Sequence, residues 1–523
     1  GTTMIRFFAK VSALLFLLQL VDAVEFDALA LTKQVQKSAD RVWPGVVSIE
    51  RGGYASGVVI SPQGLIATAG HVLKGAKNTD GVKVTFPDGK VAYARALGRN
   101  FETDTGLLQI TTERDGPWPF TPLSAKPVAA GDFCFTLAHP AGEADGRPAQ
   151  LRLGRITMLR LRDGKPWFAT ADVEIQPGDS GGPLFDPDGA LIGIDSSAAT
   201  KRGFNRFALA STLLDDFKAL KSMRRIGKLE DGPGGDIGNG LEINPATLEK
   251  LGAVFHGRFA AGHRPTVEFV RKRSSGGKDV KINQSEMANF LVPDVFALSS
   301  GVPISMGIED PALIEKLPDL PAGAVAPLKI YAGQSLVTYG IRVHEKYIIA
   351  KKSELSEGEE IRWRVGGELY PLSERAGIKE FDLSLLEIRI APEKDKAPIL
   401  RFPEGEVRDT LRAGTGLMAI DGRGLKTWGV ACDHSREVPK EITIGPLDDK
   451  DELISRLRAP IANATTHNLR LYAADAGTPI YDLEGRFVGM HHGRLSRTLG
   501  LLLPAEVISQ LTQAIIGKLE AEE

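Results

Sequence analysis

Two stretches of this sequence are nearly parallel. Residues 176–194 read QPGDSGGPLFDPDGALIGI, and residues 474–490 read ADAGTPIYDLEGRFVGM, with Ala476 where the first stretch has Ser180. Each begins with a tight Gly/Asp turn and continues into apolar runs interrupted by a second turn, a pattern typical of short strands joined by turns. The comparison raises two questions: whether Ser180 is a reactive residue, and why the pattern recurs without it.

The composition around these stretches favours an all-β protein. The chain has 523 residues, which suggests two or three domains, and its 57 Gly and 31 Pro are spread among short Val/Ile/Leu-rich runs. Apolar residues make up 42% and charged residues 25%, so ordinary globular cores can form. The net charge of −2 gives no electrostatic reason to expect nucleic acid as a partner.

The N-terminus indicates export. Arg6 and Lys10 precede the apolar run VSALLFLLQLVDA, which ends in small residues suited to signal peptidase and is short for a transmembrane helix. We therefore predict a signal peptide at residues 1–23, a secreted or periplasmic protein, and no membrane association after cleavage. The two cysteines, Cys134 and Cys432, could form a disulfide in that compartment, or each could be a small buried residue.

Other stretches of the first half also recur in order in the second half. GVVISPQGLIATAGHVL (57–73) parallels GIRVHEKYIIAKKSEL (340–355), and FETDTGLLQI (101–110) parallels EFDLSLLEI (380–388). Such collinear matches suggest duplication of one domain. The predicted segments are a signal peptide at 1–23, a first domain at 24–225, a short mixed linker region at 226–324 whose function cannot be read, and a second domain at 325–523.

The first half contains candidates for nucleophilic catalysis. A serine hydroxyl is a poor nucleophile at neutral pH, so it needs a nearby base and a third group that orients the base. His71 and His139 are the histidines between the signal and residue 225. His71 ends an apolar strand pattern, Asp104 precedes another, and Ser180 follows the QPGD turn. Each residue could instead be structural, as a buried histidine, a turn residue or part of a Gly-rich hairpin.

The motifs ATAGHVL, DTGLLQI and GDSGGP, in that order, resemble the trypsin/chymotrypsin superfamily, and SGVVISPQG and RFALAS are most similar to its HtrA/Deg-type branch. This resemblance implies two tandem trypsin-like double β-barrel domains that need no cofactor or metal. Carried over by position, it implies that Ser180 is the nucleophile, His71 the general base and Asp104 the residue that orients His71. The backbone N–H groups of Gly178 and Ser180 would form the oxyanion hole.

Asp179 departs from the HtrA-type pattern, which commonly has Asn at this position. In trypsin-like zymogens this Asp is captured by a newly cut N-terminal amine. The predicted mature start, near Val24, does not resemble such an activation peptide. Asp179 must therefore have another partner, which the sequence does not identify.

The same resemblance suggests three substrate-binding residues. Glu174 falls at the base of the primary pocket of trypsin-like enzymes, and Asp195 and Ser196 fall on the strand that forms its wall. An acidic pocket would favour a basic residue at the cleavage site. HtrA-type pockets are shaped differently and accept small apolar residues, so both specificities stay open.

The second half lacks the reactive groups. The repeat places Asp382 on Asp104, Ser353 on His71 and Ala476 on Ser180. We therefore expect the second domain to be a pseudoprotease, with either an architectural or a peptide-binding role. A metal site at His491 and His492 is disfavoured because neighbouring strand residues point to opposite faces.

We therefore expect a secreted or periplasmic serine endopeptidase. Its substrates would be polypeptides, unfolded proteins among them, and it could assemble as a homo-oligomer. The alternative is a non-catalytic peptide-binding or scaffold protein built from two protease-like barrels.

Overall fold

The structure is a computed structural model. It describes residues 26–75, 79–140, 149–162, 164–198, 205–228, 242–243, 280–281, 305, 307–355, 358–390, 392, 395, 397–402, 411–433, 436–438, 461–496 and 498–522. The predicted signal peptide and most of the predicted linker region lie outside the described residues. Below, the first half means residues 26–228 and the second half means residues 325–522.

The first half begins with a helix and continues into strands. Helix α1 is Ala28–Val42, and the Asp27 side chain caps it by accepting a hydrogen bond from the Ala30 N–H (3.0 Å). The strands that follow are β1 Val46–Glu50, β2 Tyr54–Val59, β3 Leu65–Ala69, β4 Val82–Thr85, β5 Val91–Asn100, β6 Thr105–Ile110, β7 Phe133–Ala138, β8 Gln150–Arg162, β9 Lys165–Ala171, β10 Pro183–Phe185, β11 Leu191–Ser197 and β12 Asn205–Leu209. Helix α2, Ala210–Lys221, and the short strand β13, Arg225–Ile226, complete it.

These strands form two barrels. The first sheet has the order β5-β4-β1-β2-β3-β6, and pairing of β5 with β6 closes it. The second is a closed barrel of order β8-β7-β10-β11-β12-β9. Strand β5 alternates exposed and buried residues, as expected of a strand with one face on a core. Strand β3 is buried throughout.

The second half repeats this strand order. Its elements, with the short pieces that precede them, are β14 Glu242–Ile243, β15 Val280–Lys281, α3 Pro311–Ile314, β16 Leu328–Ala332, β17 Ser335–Arg342, β18 Tyr347–Lys351, β19 Ile361–Val365, β20 Glu368–Ile378, β21 Leu383–Ile388, β22 Gly416–Ile420, β23 Lys426–Val430, β24 Arg436–Val438, β25 Ile461–His467, β26 Pro479–Asp482, β27 Phe487–Arg494, β28 Gly500–Pro504 and α4 Ala505–Glu522. One barrel has the order β20-β19-β16-β17-β18-β21, and the other sheet has the order β23-β22-β26-β27-β28-β25-β24. Each position matches a strand of the first half, with β23 and β24 together in the place of the long β8. The protein is thus all-β with two tandem double-barrel domains.

Helix α1 lies against both halves. Gln34 donates a hydrogen bond to Asp188 of the first half (2.6 Å), while Gln36 donates to the carbonyl of Ala413 in the second (3.1 Å). A Cβ at Gly416 would lie 2.7 Å from the hydroxyl of Thr32, so the helix and strand β22 approach closely. One helix therefore joins the two domains.

Cys134 and Cys432 are free and fully buried, so the alternative of small interior residues holds for both. Among the described residues, no helix has the length and apolar character needed to cross a membrane.

Candidate active site

Strands β3 and β6 bring His71 and Asp104 together. They pair antiparallel with Ala69 opposite Thr105, so the residues just beyond that pair meet at the same end. The imidazole Nδ1 of His71 lies 2.9 Å from Oδ2 of Asp104, and the His71 backbone N–H donates to Oδ1 (2.9 Å). Because Nδ1 carries the proton toward the carboxylate, Nε2 is left as the basic nitrogen.

Asp104 receives a further hydrogen bond that the sequence did not predict. The Ser196 hydroxyl donates to Oδ2 of Asp104 at 2.6 Å, and both side chains are buried. Asp104 adopts a left-handed backbone conformation (φ 50°), which places its carboxylate between these donors. The structure thus places the Ser196 hydroxyl on the carboxylate that contacts His71, and its predicted role in substrate binding stays a prediction.

The pKa of His71 reflects two opposing effects. Burial lowers the pKa of its imidazole, while the hydrogen bond and the negative charge of Asp104 raise it. The net result is a pKa above the ordinary value of 6.5. The imidazole is thus tuned toward proton acceptance.

Ser180 lies in a loop of residues 174–182, the Ser180 loop, that rests against strand β3. A Cβ at Gly181 would lie 2.1 Å from the Thr68 hydroxyl and 2.8 Å from the Ala69 nitrogen, so only glycine allows this approach. The Ser56 N–H also donates to the carbonyl of Ser180 (2.9 Å). These contacts bring Ser180 to strand β3, which ends two residues before His71. No hydrogen bond joins Ser180 to His71 in the described chain, and such bonds commonly tighten only with substrate.

The Ser180 loop keeps two N–H groups available. The N–H groups of Asp179, Gly181 and Gly182 donate to backbone carbonyls, at 3.0, 2.7 and 2.7 Å. Among the described residues, the N–H groups of Gly178 and Ser180 donate to none. Gly178 has φ 100°, a conformation that favours glycine.

Asp179 is paired inside the protein with Arg152 of strand β8. The Arg152 Nη1 atom lies 2.6 Å from Oδ2 of Asp179, and both side chains are fully buried. The Gln176 N–H donates to the same carboxylate oxygen (2.8 Å). Arg152 is thus the partner that the sequence analysis required but did not identify.

The other two predicted pocket residues lie in different surroundings. The Asp195 carboxyl is fully buried and accepts a hydrogen bond from the Thr136 hydroxyl (3.1 Å); its predicted role in substrate binding stays a prediction. Burial, together with the nearby charge of Asp179, raises the pKa of Asp195 well above its usual value. Glu174 is half-buried, and its carboxylate accepts a hydrogen bond from Asn205 (3.1 Å).

The second half reproduces this geometry without the reactive groups. Ser353 donates its hydroxyl to Oδ2 of Asp382 at 2.6 Å and its backbone N–H to Oδ1 at 2.9 Å. Asp382 has φ 48°, close to the value at Asp104. The carbonyl of Ala476 accepts from the Tyr339 N–H (2.9 Å), as that of Ser180 does from Ser56. Ser353, Asp382 and Ala476 thus make contacts of the same kind as His71, Asp104 and Ser180.

The loop around Ala476 differs in its backbone. Residues Ala473–Asp475 form a 3-10 turn, and the Ala476 N–H donates to the carbonyl of Ala473 (3.3 Å). The ring of Tyr339 lies against Gly422, where an added Cβ would be 2.0 Å from a ring carbon. The Ala476 N–H, at the position that corresponds to Ser180, is thus engaged within its own turn, and the Tyr339 ring occupies the space beside Gly422.

His491 and His492 are both buried near Asp382 and His467. Nε2 of His491 bonds to the carbonyl of Tyr472 (2.8 Å), and its Nδ1 lies 3.0 Å from Nε2 of His467. Burial lowers the pKa of His491 to about 4. Within the described ranges, no group of three or more His, Cys, Asp or Glu side chains is placed to hold a metal ion.

Comparisons with known proteins agree with this geometry. Residues 55–194 match the family model described as a trypsin-like peptidase domain. A probable periplasmic serine endoprotease, DegP-like, from Halomonas elongata is 33% identical over 30% of this chain and 32% of its own length. A protein of the same description from Pseudomonas savastanoi is 26% identical over 63% of this chain and 62% of its own length.

Two further similarities each cover about a third of the chain. The putative serine protease HhoA of Synechocystis is 29% identical over 32% of this chain and 42% of its own length. The crystal structure of the serine endoprotease from Yersinia pestis aligns with a TM-score of 0.31 and 23% identity, over 36% of this chain and 66% of that one. The chain thus spans less than two thirds of the curated relatives it matches. Residues 55–194 are thus similar to trypsin-like peptidase domains, and the chain is similar to DegP-like serine endoproteases.

Proposed function

We propose that this protein is a periplasmic serine endopeptidase that hydrolyses peptide bonds of polypeptide substrates. The observation that carries the proposal is the orientation of His71 by a carboxylate that also accepts the Ser196 hydroxyl, at the edge against which the Ser180 loop rests. The relatives' descriptions as periplasmic serine endoproteases support the compartment and the reaction class. The signal peptide at 1–23 and the domains at 24–225 and 325–523 are part of this proposal.

In the first step, the Ser180 hydroxyl oxygen attacks the carbonyl carbon of the scissile bond. Nε2 of His71 accepts the hydroxyl proton, and Asp104 stabilises the imidazolium that results. The carbonyl oxygen becomes an oxyanion and accepts hydrogen bonds from the N–H groups of Gly178 and Ser180. Neither N–H group donates a hydrogen bond to another group in the described chain.

In the second step, the C–N bond breaks and the proton on His71 passes to the departing amine. This leaves the substrate's acyl group as an ester of Ser180. Water then attacks the ester with His71 again accepting the proton, and collapse of the second oxyanion releases the carboxylic acid and regenerates the Ser180 hydroxyl. No cofactor is needed to balance either step.

The second half is, in this proposal, a degenerate copy of the first that has lost the reaction. Support comes from Ser353 in the position of the base, Ala476 in the position of the nucleophile, and an Ala476 N–H engaged within its own turn. The shared strand order of the two halves supports a common origin by duplication.

The test is active-site labelling. Full-length protein is treated with a fluorophosphonate probe beside Ser180→Ala, and mass spectrometry locates the adduct. We expect one adduct on Ser180 that Ser180→Ala abolishes, with hydrolysis of an unfolded protein substrate lost in parallel. Absence of an adduct in the parent protein, with unfolded protein present, would favour the non-catalytic binding or scaffold protein instead.

A further inference from the structure

Arg152 binds the Ser180 loop at two points, its first residue and the residue before Ser180. Its Nη1 atom lies 2.6 Å from Oδ2 of Asp179 and 2.8 Å from the carbonyl oxygen of Glu174. The guanidinium has no exposed surface, so removing one partner would leave an uncompensated buried charge. The loop between Glu174 and Asp179 is therefore held by one cation on a neighbouring strand.

This contact matters because Asp179 separates the two proposed oxyanion donors in sequence. Its carboxylate accepts from Arg152 and from the Gln176 N–H, which fixes the direction of the peptide groups on either side. The Asp179 carboxylate is already paired with the guanidinium of Arg152. A newly released N-terminal amine is therefore not required to hold it.

Strand β8, which carries Arg152, is in turn bound by the second half. The Leu151 N–H donates to the carbonyl of Cys432 (2.9 Å), and the Asn468 side-chain amide donates to the carbonyl of Leu153 (2.9 Å). These are the two residues that flank Arg152. The second half thus holds the strand immediately before and immediately after the guanidinium.

We propose that Arg152 is a positioning residue that takes the place of an N-terminal amine in setting the oxyanion hole, and that docking of the second half on β8 keeps Arg152 in place. The inference rests on the proposed endopeptidase function. It gives the degenerate domain a definite role, in which the second barrel pair supports the active site of the first without touching substrate.

The first experiment compares Arg152→Met with Arg155→Met in the full chain. Arg155 lies on the same strand and is largely buried, but it binds the carbonyl of Gly131 and faces Asp310 rather than the loop. We expect the fluorophosphonate labelling rate of Arg152→Met to fall by about 100- to 1000-fold, the cost of losing an oxyanion donor. Arg155→Met should label at close to the parent rate.

Chemical rescue separates positioning from a general loss of structure. Millimolar guanidinium should partly restore labelling of Arg152→Ala, whose truncated side chain leaves space for the ion beside Asp179, and leave Arg155→Ala unchanged. If Arg152→Met fails to fold, the pair Arg152→Met/Asp179→Asn removes both buried charges and should fold but still label slowly. Labelling of either variant at the parent rate would overturn the proposal.

Hydrogen exchange provides a readout that does not depend on activity. The amides of Asp179, Gly181 and Gly182, protected in the parent by their internal hydrogen bonds, should exchange faster in Arg152→Met. Unchanged protection would overturn the role of Arg152. Failure of the parent to label, with the amides responding as expected, would refute the proposed enzyme function and retain the positioning of the loop.

The contribution of the second half is tested by Asn468→Asp. The new side chain can still accept the hydrogen bond that Asn468 receives from the Val430 N–H (2.7 Å), but it cannot donate to Leu153. We expect slower labelling of Ser180 and faster exchange of the Ser180 loop, with the second half still folded. Parent-like rates in both measurements would remove the second half from the proposal.

Discussion

His71 is the residue whose titration should govern activity. Its imidazole must be neutral to accept the Ser180 proton, and its pKa lies above 6.5 because Asp104 outweighs the effect of burial. The labelling rate should therefore fall as the pH drops through this raised pKa. NMR titration of His71 in Ser180→Ala should give a value above 6.5, and Asp104→Asn, which leaves burial as the dominant effect, should give one below it.

An internal reference makes this titration decisive. His467 is fully buried, and burial lowers its pKa well below 6.5, so its signals should not shift near neutral pH. If His71 in the Ser180→Ala protein titrated below 6.5, the influence of Asp104 on the imidazole would be smaller than the geometry implies.

Residue types gave only candidates, and the resemblance of their motifs to the trypsin/chymotrypsin superfamily implied that Asp104 orients His71. The sequence did not indicate the hydrogen bond from Ser196 to Asp104 or the pairing of Arg152 with Asp179. The Ser196 hydroxyl reaches Asp104 across 92 residues of sequence, and Arg152 reaches Asp179 across 27. Such partners depend on which strands become neighbours, and no local pattern encodes that. An arginine on an alternating strand ordinarily indicates a solvent-facing position.

At the level of elements, the contact of the Ser180 loop with strand β3 depends on Gly181. Gly181→Ala adds a Cβ within 2.3 Å of the Ser56 carbonyl oxygen at a backbone φ of 87°. We expect the free energy of unfolding to fall by about 3 kcal/mol, from overpacking and the left-handed conformation together. Urea denaturation measures the change.

Gly116→Ala is the matched control for the backbone cost alone. Gly116 has φ 82°, but nothing lies within 4 Å of an added Cβ. This variant should lose about 1 kcal/mol. If both variants lost the same free energy of unfolding, the Ser180 loop would accommodate the added Cβ beside β3 without steric strain.

Much of the element pattern could be predicted from apolar runs. Strands Asn205–Leu209 and Gly500–Pro504, each followed by a helix, coincide with apolar runs of the sequence. The place of β8 could not be predicted in the same way. Strand β8 is one long strand, whereas β23 and β24 together take its place in the second half. The second half lies against β8, so the residues of β8 do not divide simply into a core face and a solvent face.

For the whole molecule, restoring two residues should not restore a second active site. In a Ser180→Ala background, Ser353→His with Ala476→Ser recreates the residue types of the first half. We expect no labelling above Ser180→Ala alone, because the residue 476 N–H is engaged by Ala473 and Tyr339 fills the space beside Gly422. A probe adduct at position 476, located by mass spectrometry, would contradict this.

The position of helix α1 between the halves has a consequence for the order of folding. Its Gln36 side chain meets the carbonyl of Ala413, 377 residues later in the chain. Contacts that close so long a loop form late, because the entropy of closure must be offset before they stabilise anything. During synthesis, which starts at the N-terminus, α1 is therefore made first. It lacks its contact with Ala413 until the second half has folded. The fold is therefore completed late in biogenesis. Strand β8 also receives its contacts from the second half only at that stage.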